Sequence, residues 1–290
     1  MQHIKIASWN ILAAPWAAPK FYPKTLDRAV LERSLRIAKV AERIVALDPA
    51  PDVWCLQEVT APELSIIVDG LERANRCSYG VLHASNARDY WSNWLVDGVA
   101  WEVNGPAVLV RNDCFEAVTF RELSLGGLGN AAVLAQAKHR ESGSELRIVS
   151  VHLDADAAPA REAELASLFA QLDDPQGDDP RRDSTATVLA GDFNCDTREG
   201  LVHEMIVTAG YVDLHTELGQ FDPTHPYGRP GDAHVPLTRI DHVLVKDAGP
   251  VEAAIHDVGV WGIVDPVERL IAHLQLTGSD HLMISGCCTI

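Results

Sequence analysis

Short apolar runs that end in a carboxylate or amide side chain recur along this chain. Residues 187–190 lead into Gly191-Asp192-Phe193-Asn194, residues 3–9 lead into Asn10, and residues 53–57 lead into Glu58. Runs of this kind predict buried β-strands. A polar group at the end of a buried strand needs a partner, because burial without one is costly. The pattern therefore predicts a sheet fold whose strand ends carry groups for a metal and a phosphate.

Strand-like segments outnumber helices. Apolar residues at three- and four-residue steps predict helices over residues 26–47, 62–75, 159–172 and 199–209. Apolar runs separated by Gly and Asn turns predict strands near residues 3–10, 53–58, 80–83, 106–111, 115–120, 131–138, 145–152, 187–190, 240–245 and 282–288. This order fits two packed sheets with helices on the outer faces. No repeat or linker is evident, so we expect residues 1–290 to form a single domain.

The charge balance argues against a long nucleic-acid partner. Lys and Arg number 24 and Asp and Glu number 41, which gives a formal net charge of −17. A protein that grips long nucleic acid usually carries a basic stripe, because phosphate contacts supply most of the affinity. The sequence contains no such stripe. We therefore expect a phosphorylated small molecule or a short nucleic-acid end as the partner, and no extended nucleic-acid-binding surface.

Cysteine usage and hydropathy point to an intracellular setting. The six cysteines form no Cys-x-x-Cys pair, and a chain of this size needs no disulfides. The N-terminal residues begin a strand and lack the features of a signal peptide. No apolar run has the length of a membrane span. We expect free thiols, a cytoplasmic location and no membrane attachment.

Six polar positions lie at or near the predicted strand ends. Each has an ordinary explanation on its own, as a turn residue, a solvated acid or a hydrogen-bonded core histidine. Together they suit phosphoester hydrolysis, because hard cations prefer oxygen ligands and phosphate oxygens need donors. The positions are Asn10, Glu58, His152, Asp192 with Asn194, Asp241, and Asp280 with His281.

Each of these side chains has an expected task. Glu58 is the best candidate ligand for Mg²⁺ or Mn²⁺, with Asn10 and Asp280 assisting. Asp192 can orient and deprotonate a water for in-line attack on phosphorus. Hydrogen bonds to the phosphate oxygens can come from Asn194, His152 and His281, and Asp241 can hold the imidazole of His281 in place.

The motifs that carry these residues resemble those of the endonuclease/exonuclease/phosphatase superfamily, in order and in approximate spacing. They are Ser-Trp-Asn-Ile-Leu (8–12), Leu-Gln-Glu-Val (56–59), Val-His-Leu-Asp (151–154), Gly-Asp-Phe-Asn (191–194), Arg-Ile-Asp-His-Val (239–243) and Gly-Ser-Asp-His (278–281). The resemblance implies an α/β (α+β) fold, a four-layered α/β sandwich with two packed, mainly antiparallel sheets flanked by helices. It also implies phosphoester cleavage that depends on Mg²⁺ or Mn²⁺, with the tasks given above.

Details of the motifs narrow the resemblance. The helix after His152 contains Arg161, and it is similar to the Arg-bearing helix that follows the same motif in the tyrosyl-DNA phosphodiesterase-like branch. The segment from Trp9 to Leu12 is similar to the corresponding segment of the deadenylase-like branch. Abasic-site endonucleases carry an acid two positions after the motif asparagine, where this chain has Leu12. That difference argues against an abasic-site repair role.

Residues that could bind the substrate are expected around the strand ends. The loop 220–236 lies between two catalytic motifs, and we expect it to border the site. Arg229 can hold a second phosphate as a bidentate donor. Loop residues of this kind also occur without such a task. The candidates for substrate binding are Asp154, Arg161, His225, Tyr227 and Arg229.

Aromatic side chains offer two further candidate surfaces. One segment holds Tyr90, Trp91, Trp94 and Trp101 beside Arg88. Such side chains can stack on a base. More often a cluster of this kind packs a loop against the sandwich, and we favour that explanation. A second wall is expected from Trp16, Phe21 and Tyr22.

The sequence thus predicts a metal-dependent phosphodiesterase or phosphatase that acts on a small phosphorylated substrate. A nuclease or DNA-end-processing phosphodiesterase is the alternative. A non-catalytic binding module of the same fold is a hypothesis of another class, although such proteins generally lose polar site residues and none is missing here. A lipid headgroup is disfavoured, because no amphipathic basic helix is evident.

Overall fold

Two six-stranded sheets form the centre of the structure. The computed structural model describes residues 2–86, 95–96, 99–100, 103–126, 130–173, 185–225, 239–263 and 265–290. The strands are β1 (His3–Asn10), β2 (Val53–Val59), β3 (Tyr79–His83), β4 (Leu95–Val96), β5 (Val99–Ala100), β6 (Gly105–Arg111), β7 (Phe115–Gly126), β8 (Asn130–His139), β9 (Glu145–His152), β10 (Ala186–Asp192), β11 (Val212–Asp213), β12 (Asp241–Lys246), β13 (Gly249–His256) and β14 (Met283–Thr289). Of these, β4 and β5 pair only with each other and belong to neither large sheet.

Helices connect the strands and cover the sheets. They are α1 (Arg33–Val45), α2 (Ala61–Asn75), α3 (Ala158–Asp173), α4 (Gly200–Thr208), α5 (Leu214–Glu217) and α6 (Pro266–Thr277), with 3₁₀ turns at Pro19–Phe21 and Arg28–Leu31. No helix in the described part of the chain is both long enough and apolar enough to cross a membrane.

Each sheet contains a single parallel pair near its middle. The first sheet has the order β13-β14-β1-β2-β6-β3 and the second has β11-β12-β10-β9-β8-β7. The pairs β1–β2 and β9–β10 are parallel, and the neighbouring pairs in both sheets are antiparallel. The predicted sandwich of two mainly antiparallel sheets is confirmed.

Apolar side chains from both sheets meet in a central core. Ile6 and Val108 from the first sheet lie in one cluster with Ile148 and Val188 from the second. On the outer face of the first sheet, α1 and α2 pack through a second cluster that includes Trp54. A third cluster joins α3 and α4 to the outer face of the second sheet. The four layers are therefore helix, sheet, sheet and helix.

The structure differs from the sequence prediction in several regions, two of which have a clear reason. The predicted helix over residues 26–47 begins only at Arg33, because Arg28–Leu31 form a 3₁₀ turn capped by Asp27 and the following Glu32 is extended. Residues 249–277, for which the apolar pattern predicts no element, contain β13 and α6. β13 is an edge strand with several exposed residues in succession. It therefore lacks the alternation of buried and exposed positions by which a strand is predicted from sequence.

A buried polar cluster fastens the far edge of the second sheet. One carboxylate oxygen of Asp213 accepts hydrogen bonds from Arg239 (2.9 Å) and Thr197 (3.0 Å), and lies 2.6 Å from Nδ1 of His242. Burial opposes ionisation of Asp213, but the His242 hydrogen bond and the charges of His242 and Arg239 hold the pKa of Asp213 well below its usual range. Beside it, burial lowers the pKa of His215 to about 4. The cluster stabilises the junction of β11, α5 and β12.

The close contact between β9 and β10 yields a first prediction. A Cβ atom on Gly191 would lie 1.9 Å from the carbonyl oxygen of Val151, so Gly191→Ala must push the two strands apart. We expect a loss of about 1–3 kcal/mol or more in the free energy of unfolding, as for other overpacked sites. Gly262→Ala is the control, because a Cβ there meets no atom within 4 Å. Urea unfolding measures both, and equal stability of the two variants would contradict the prediction.

The buried His215 yields a second prediction, on pH. Its pKa is about 4 in the folded chain and about 6.5 in the unfolded chain. Below pH 6.5 the unfolded state therefore binds the extra proton, and stability falls as the pH drops toward 4, by up to about 1.4 kcal/mol per pH unit. His215→Gln keeps a donor for the Ala254 carbonyl, which His215 Nε2 contacts at 3.3 Å, but cannot titrate. Urea unfolding between pH 7.5 and 5 should show a shallower dependence for this variant than for the wild type, and parallel profiles would contradict the assignment.

Candidate active site

The strand register brings the predicted polar residues to one edge of the sandwich. Asn10 ends β1 beside β2, which carries Glu58. In the second sheet Asp192 pairs with His152 on one side and with Asp241 on the other. The segment before β14 adds Asp280 and His281. The parallel pair in each sheet ends at this edge, and the antiparallel strands β12 and β14 begin there.

Asn10 links a carboxylate from each sheet. Its Nδ2 atom donates to Glu58 Oε1 and to Asp192 Oδ2, at 3.0 Å in both cases. Its side-chain oxygen accepts from the backbone of Leu12, which fixes the amide orientation. The second oxygen of Glu58 accepts from the backbone of Ala13 at 2.7 Å. Leu12 and Glu58 both have positive φ, at 60° and 57°, a conformation that costs energy for these residues and is common at functional sites.

His281 lies between two buried aspartates. Its Nδ1 atom is 3.0 Å from Asp241 Oδ2, and its Nε2 atom is 3.7 Å from Asp192 Oδ2. Burial opposes protonation, but the charges of Asp241 and Asp192 outweigh it and raise the pKa of His281 well above its ordinary value. Burial would also raise the pKa of Asp241, yet the charge and hydrogen bond of His281 hold it lower. The pair therefore favours an imidazolium beside a carboxylate.

His152 and Asn194 complete the surroundings of Asp192. His152 Nε2 lies 3.6 Å from Asp192 Oδ2, which is too far for a hydrogen bond. Asn194 follows with a positive φ of 52°. Its backbone N–H donates to Asp192 Oδ1 at 2.8 Å, and its amide donates to the carbonyl of Leu153 at 2.8 Å. The backbone of Asn194 thus orients Asp192, and its side chain as a phosphate donor stays a prediction.

Two side chains from other segments lie next to Asp280. The hydroxyl of Tyr22 donates to Asp280 Oδ2 at 3.0 Å, and His225 Nε2 lies 3.9 Å from the same oxygen. Burial opposes ionisation of Asp280, but His225, the charge of His281 and the Tyr22 bond keep its pKa well below its usual range. Sequence reasoning placed Tyr22 only in an aromatic wall, because its position between 3₁₀ turns gives no periodic signal.

Two of the substrate-binding candidates have structural contacts within the chain. Asp154 Oδ1 accepts from the backbone of Asp156 and Ala157, at 2.9 and 2.7 Å. Arg161 donates to the carbonyl of Asp154 at 2.9 Å. These bonds shape the start of α3, and a role toward substrate stays a prediction. Several other candidates lie outside the described residues, namely Tyr227 and Arg229 together with Arg88, Tyr90, Trp91, Trp94 and Trp101.

The donor atoms at this edge are close enough to share a cation. Among the described residues, two groups have donor atoms within 4.8 Å of one another, and they are His225 with Asp280 and His281, and Asp192 with Asp241 and His281. Glu58 belongs to neither group, and its two oxygens accept hydrogen bonds from Asn10 and Ala13. Burial and the charge of Asp280 raise the pKa of Glu58 against the effects of His152 and the Asn10 bond. One oxygen of Asp241 is buried without a hydrogen-bond partner.

Comparison with known proteins gives a consistent result. A sequence profile of the Endonuclease/Exonuclease/phosphatase family matches residues 7–281. A search of curated proteins found no match.

Solved structures with similar folds extend over the whole chain. The human Nocturnin catalytic domain with bound sulfate anion has a TM-score of 0.69 at 19% identity, over 99% of this chain and 94% of that one. ANGEL2, a 2′,3′-cyclic phosphatase, has a TM-score of 0.69 at 15% identity, over 99% and 95%. D. rerio TDP2, complexed with single strand DNA product, has a TM-score of 0.64 at 15% identity, over 100% of both. The family resemblance drawn from the motifs is confirmed by the profile match, and these structures share the fold.

Proposed function

The chain belongs to the endonuclease/exonuclease/phosphatase family and is an enzyme that hydrolyses phosphoesters; from that premise we propose that Asp192 activates the attacking water and that the substrate is a small phosphorylated molecule. One observation carries the mechanism. Asn10, His152 and His281 all direct nitrogen atoms at Asp192 Oδ2, at 3.0, 3.6 and 3.7 Å.

Asp192 is oriented on both of its oxygens. Asn10 holds Oδ2 and the backbone of Asn194 holds Oδ1. A carboxylate fixed in this way can accept a proton from a water placed for in-line attack, and general-base catalysis typically contributes about 10²–10⁴ in rate. The side chain is 1% exposed, so the surrounding protein strengthens its electrostatic interactions.

The two imidazoles supply donors to the phosphate. Their Nε2 atoms lie beyond hydrogen-bonding distance of Asp192, so each can donate to a phosphate oxygen or to the water. Asp241 fixes the ring of His281 through Nδ1, and it also favours the protonated ring. A preformed cationic donor stabilises the charge that develops on the phosphoryl oxygens.

The residues present fit a divalent cation. Four carboxylates converge here, and a buried oxygen of Asp241 lacks a partner among the described residues. We propose that Glu58 and Asp280 hold Mg²⁺ or Mn²⁺, and that Asn10 assists by fixing Glu58. A cation so held neutralises charge on a non-bridging phosphate oxygen. Oxygen ligands with retained waters are what Mg²⁺ prefers.

The charge of the chain supports a small substrate. A net charge of −17 repels long polyanions. The alternative, a short nucleic-acid end, is favoured by the fold shared with TDP2, which was solved with a single strand DNA product.

All six cysteines are free thiols, which supports a cytoplasmic location.

Replacing the proposed base gives a direct test. Asp192→Asn keeps the size of the side chain and removes the proton acceptor, so kcat should fall by about 10²–10⁴. Asp69→Asn is the control, because Asp69 is an exposed acid on α2. Steady-state kinetics on a panel of phosphomonoesters and phosphodiesters with Mg²⁺ or Mn²⁺ measures both. Near-normal turnover by Asp192→Asn would exclude this mechanism.

Salt dependence distinguishes the two substrate classes. A protein that neutralises Z phosphates of a single strand shows a slope of about −0.7Z in a plot of log K against log salt. We expect weak binding of a short single-stranded oligonucleotide. The slope should be no steeper than about −0.7, which is the value for one neutralised phosphate. The Asp192→Asn protein suits this titration because its expected slow turnover leaves the oligonucleotide largely intact during the measurement. A steep slope, which requires several phosphate contacts, would favour the nucleic-acid end.

A further inference from the structure

The loop that carries His225 is fastened to the catalytic strands. Thr224 is fully buried, and its hydroxyl accepts from the backbone of Ile240 and of Asp241, at 3.1 Å in both cases. Its carbonyl accepts from the backbone of Leu282 at 2.7 Å. Three hydrogen bonds thus tie the residue before His225 to β12 and to the start of β14. A side chain on so rigid a support is well placed for binding.

The distance between His225 and Asp280 suits two ligands of one cation. Nε2 of His225 and Oδ2 of Asp280 are 3.9 Å apart, which is too long for a hydrogen bond. Two ligands of one cation, each at about 2.0–2.2 Å from it, can be separated by up to about 4.4 Å. The observed separation is therefore suited to a cation between the two atoms.

Neighbouring groups orient both ligands. The hydroxyl of Tyr22 holds Asp280 Oδ2 at 3.0 Å. The ring of His225 packs edge-on against His281, with centroids 4.9 Å apart and an angle of 69° between the planes. His225 is only partly buried, so solvent and an incoming ion can reach it. Supporting contacts of this kind fix ligand geometry in metal sites.

We propose that His225 and Asp280 form a nitrogen-containing cation site, which makes this enzyme prefer Mn²⁺ or another transition-metal ion over Mg²⁺. Imidazole suits transition metals, whereas Mg²⁺ selects oxygen ligands. The inference rests on the proposed function, because the cation concerned serves the same site. Two loop-borne groups, His225 and Tyr22, would then set the metal preference of a catalytic edge that is otherwise built from strand ends.

Electron spin-echo measurements on bound Mn²⁺ test the proposal without substrate. Imidazole coordination gives a ¹⁴N modulation, which we expect in the wild type and not in His225→Gln. The same substitution should weaken Mn²⁺ binding about 10-fold or more, a loss typical of damage to a metal site, and leave Mg²⁺ binding unchanged. His3→Gln is the matched control, because His3 is an exposed histidine at the opposite end of β1 from Asn10.

The outcomes separate this proposal from the proposed function. Absence of ¹⁴N modulation in the wild type, or its persistence in His225→Gln, would overturn the nitrogen ligand even if the enzyme hydrolyses phosphoesters. Modulation that His225→Gln removes, in a protein inactive on the whole phosphoester panel, would support the site and contradict the proposed reaction. The urea concentration at the unfolding midpoint should be the same for His225→Gln as for the wild type. A lost signal then reflects the missing ligand and not misfolding.

Discussion

A single amide group joins the two sheets at the catalytic edge. Asn10 comes from the first sheet, and its Nδ2 atom holds Glu58 of the same sheet and Asp192 of the second. Without a donor between them these two buried carboxylates would repel each other, because burial lowers the effective dielectric. Ser279 strengthens the junction through its hydroxyl, which donates to the carbonyl of Asn10 at 2.6 Å. That junction holds Glu58 and Asp192 in fixed positions relative to each other.

The fold places strong negative charge where little water can screen it. Asp192 and Asp241 are 1% and 0% exposed, and neither has a Lys or Arg partner among the described ion pairs. The ring of His281, whose pKa Asp241 and Asp192 raise, is the cationic partner of both aspartates. Arg36 instead donates to the backbone carbonyls of Ile11 and Gly278. Buried charge without full compensation is expensive. The proposed divalent cation would supply the missing positive charge, and a cation held there would suit this edge to phosphoester chemistry.

The strands and their polar ends could be predicted because both signals are local. An apolar run and the side chain that ends it are adjacent in sequence, and the parallel pairs then bring Asn10 near Glu58 and His152 beside Asp192. The sequence placed Tyr22 only in a candidate aromatic wall, and its contact with Asp280 could not be predicted, because it spans 258 positions from a segment without periodicity. The cluster around Asp213 could not be predicted for the same reason, since its partners come from two distant segments, at Thr197 and at residues 239–242.

The division between strand-borne and loop-borne groups has a functional consequence. Asp192 and Asp241 are fixed by the sheet register, so the geometry of attack and the orientation of His281 follow from the fold itself. His225 and Tyr22 lie outside the sheets, and each reaches the site through Asp280 alone among the carboxylates. If His225 and Asp280 hold a cation as proposed, a change in either loop can alter how that cation is held without moving Asp192 or Asp241. One scaffold can in this way keep the positions of its strand-borne carboxylates while its loops change.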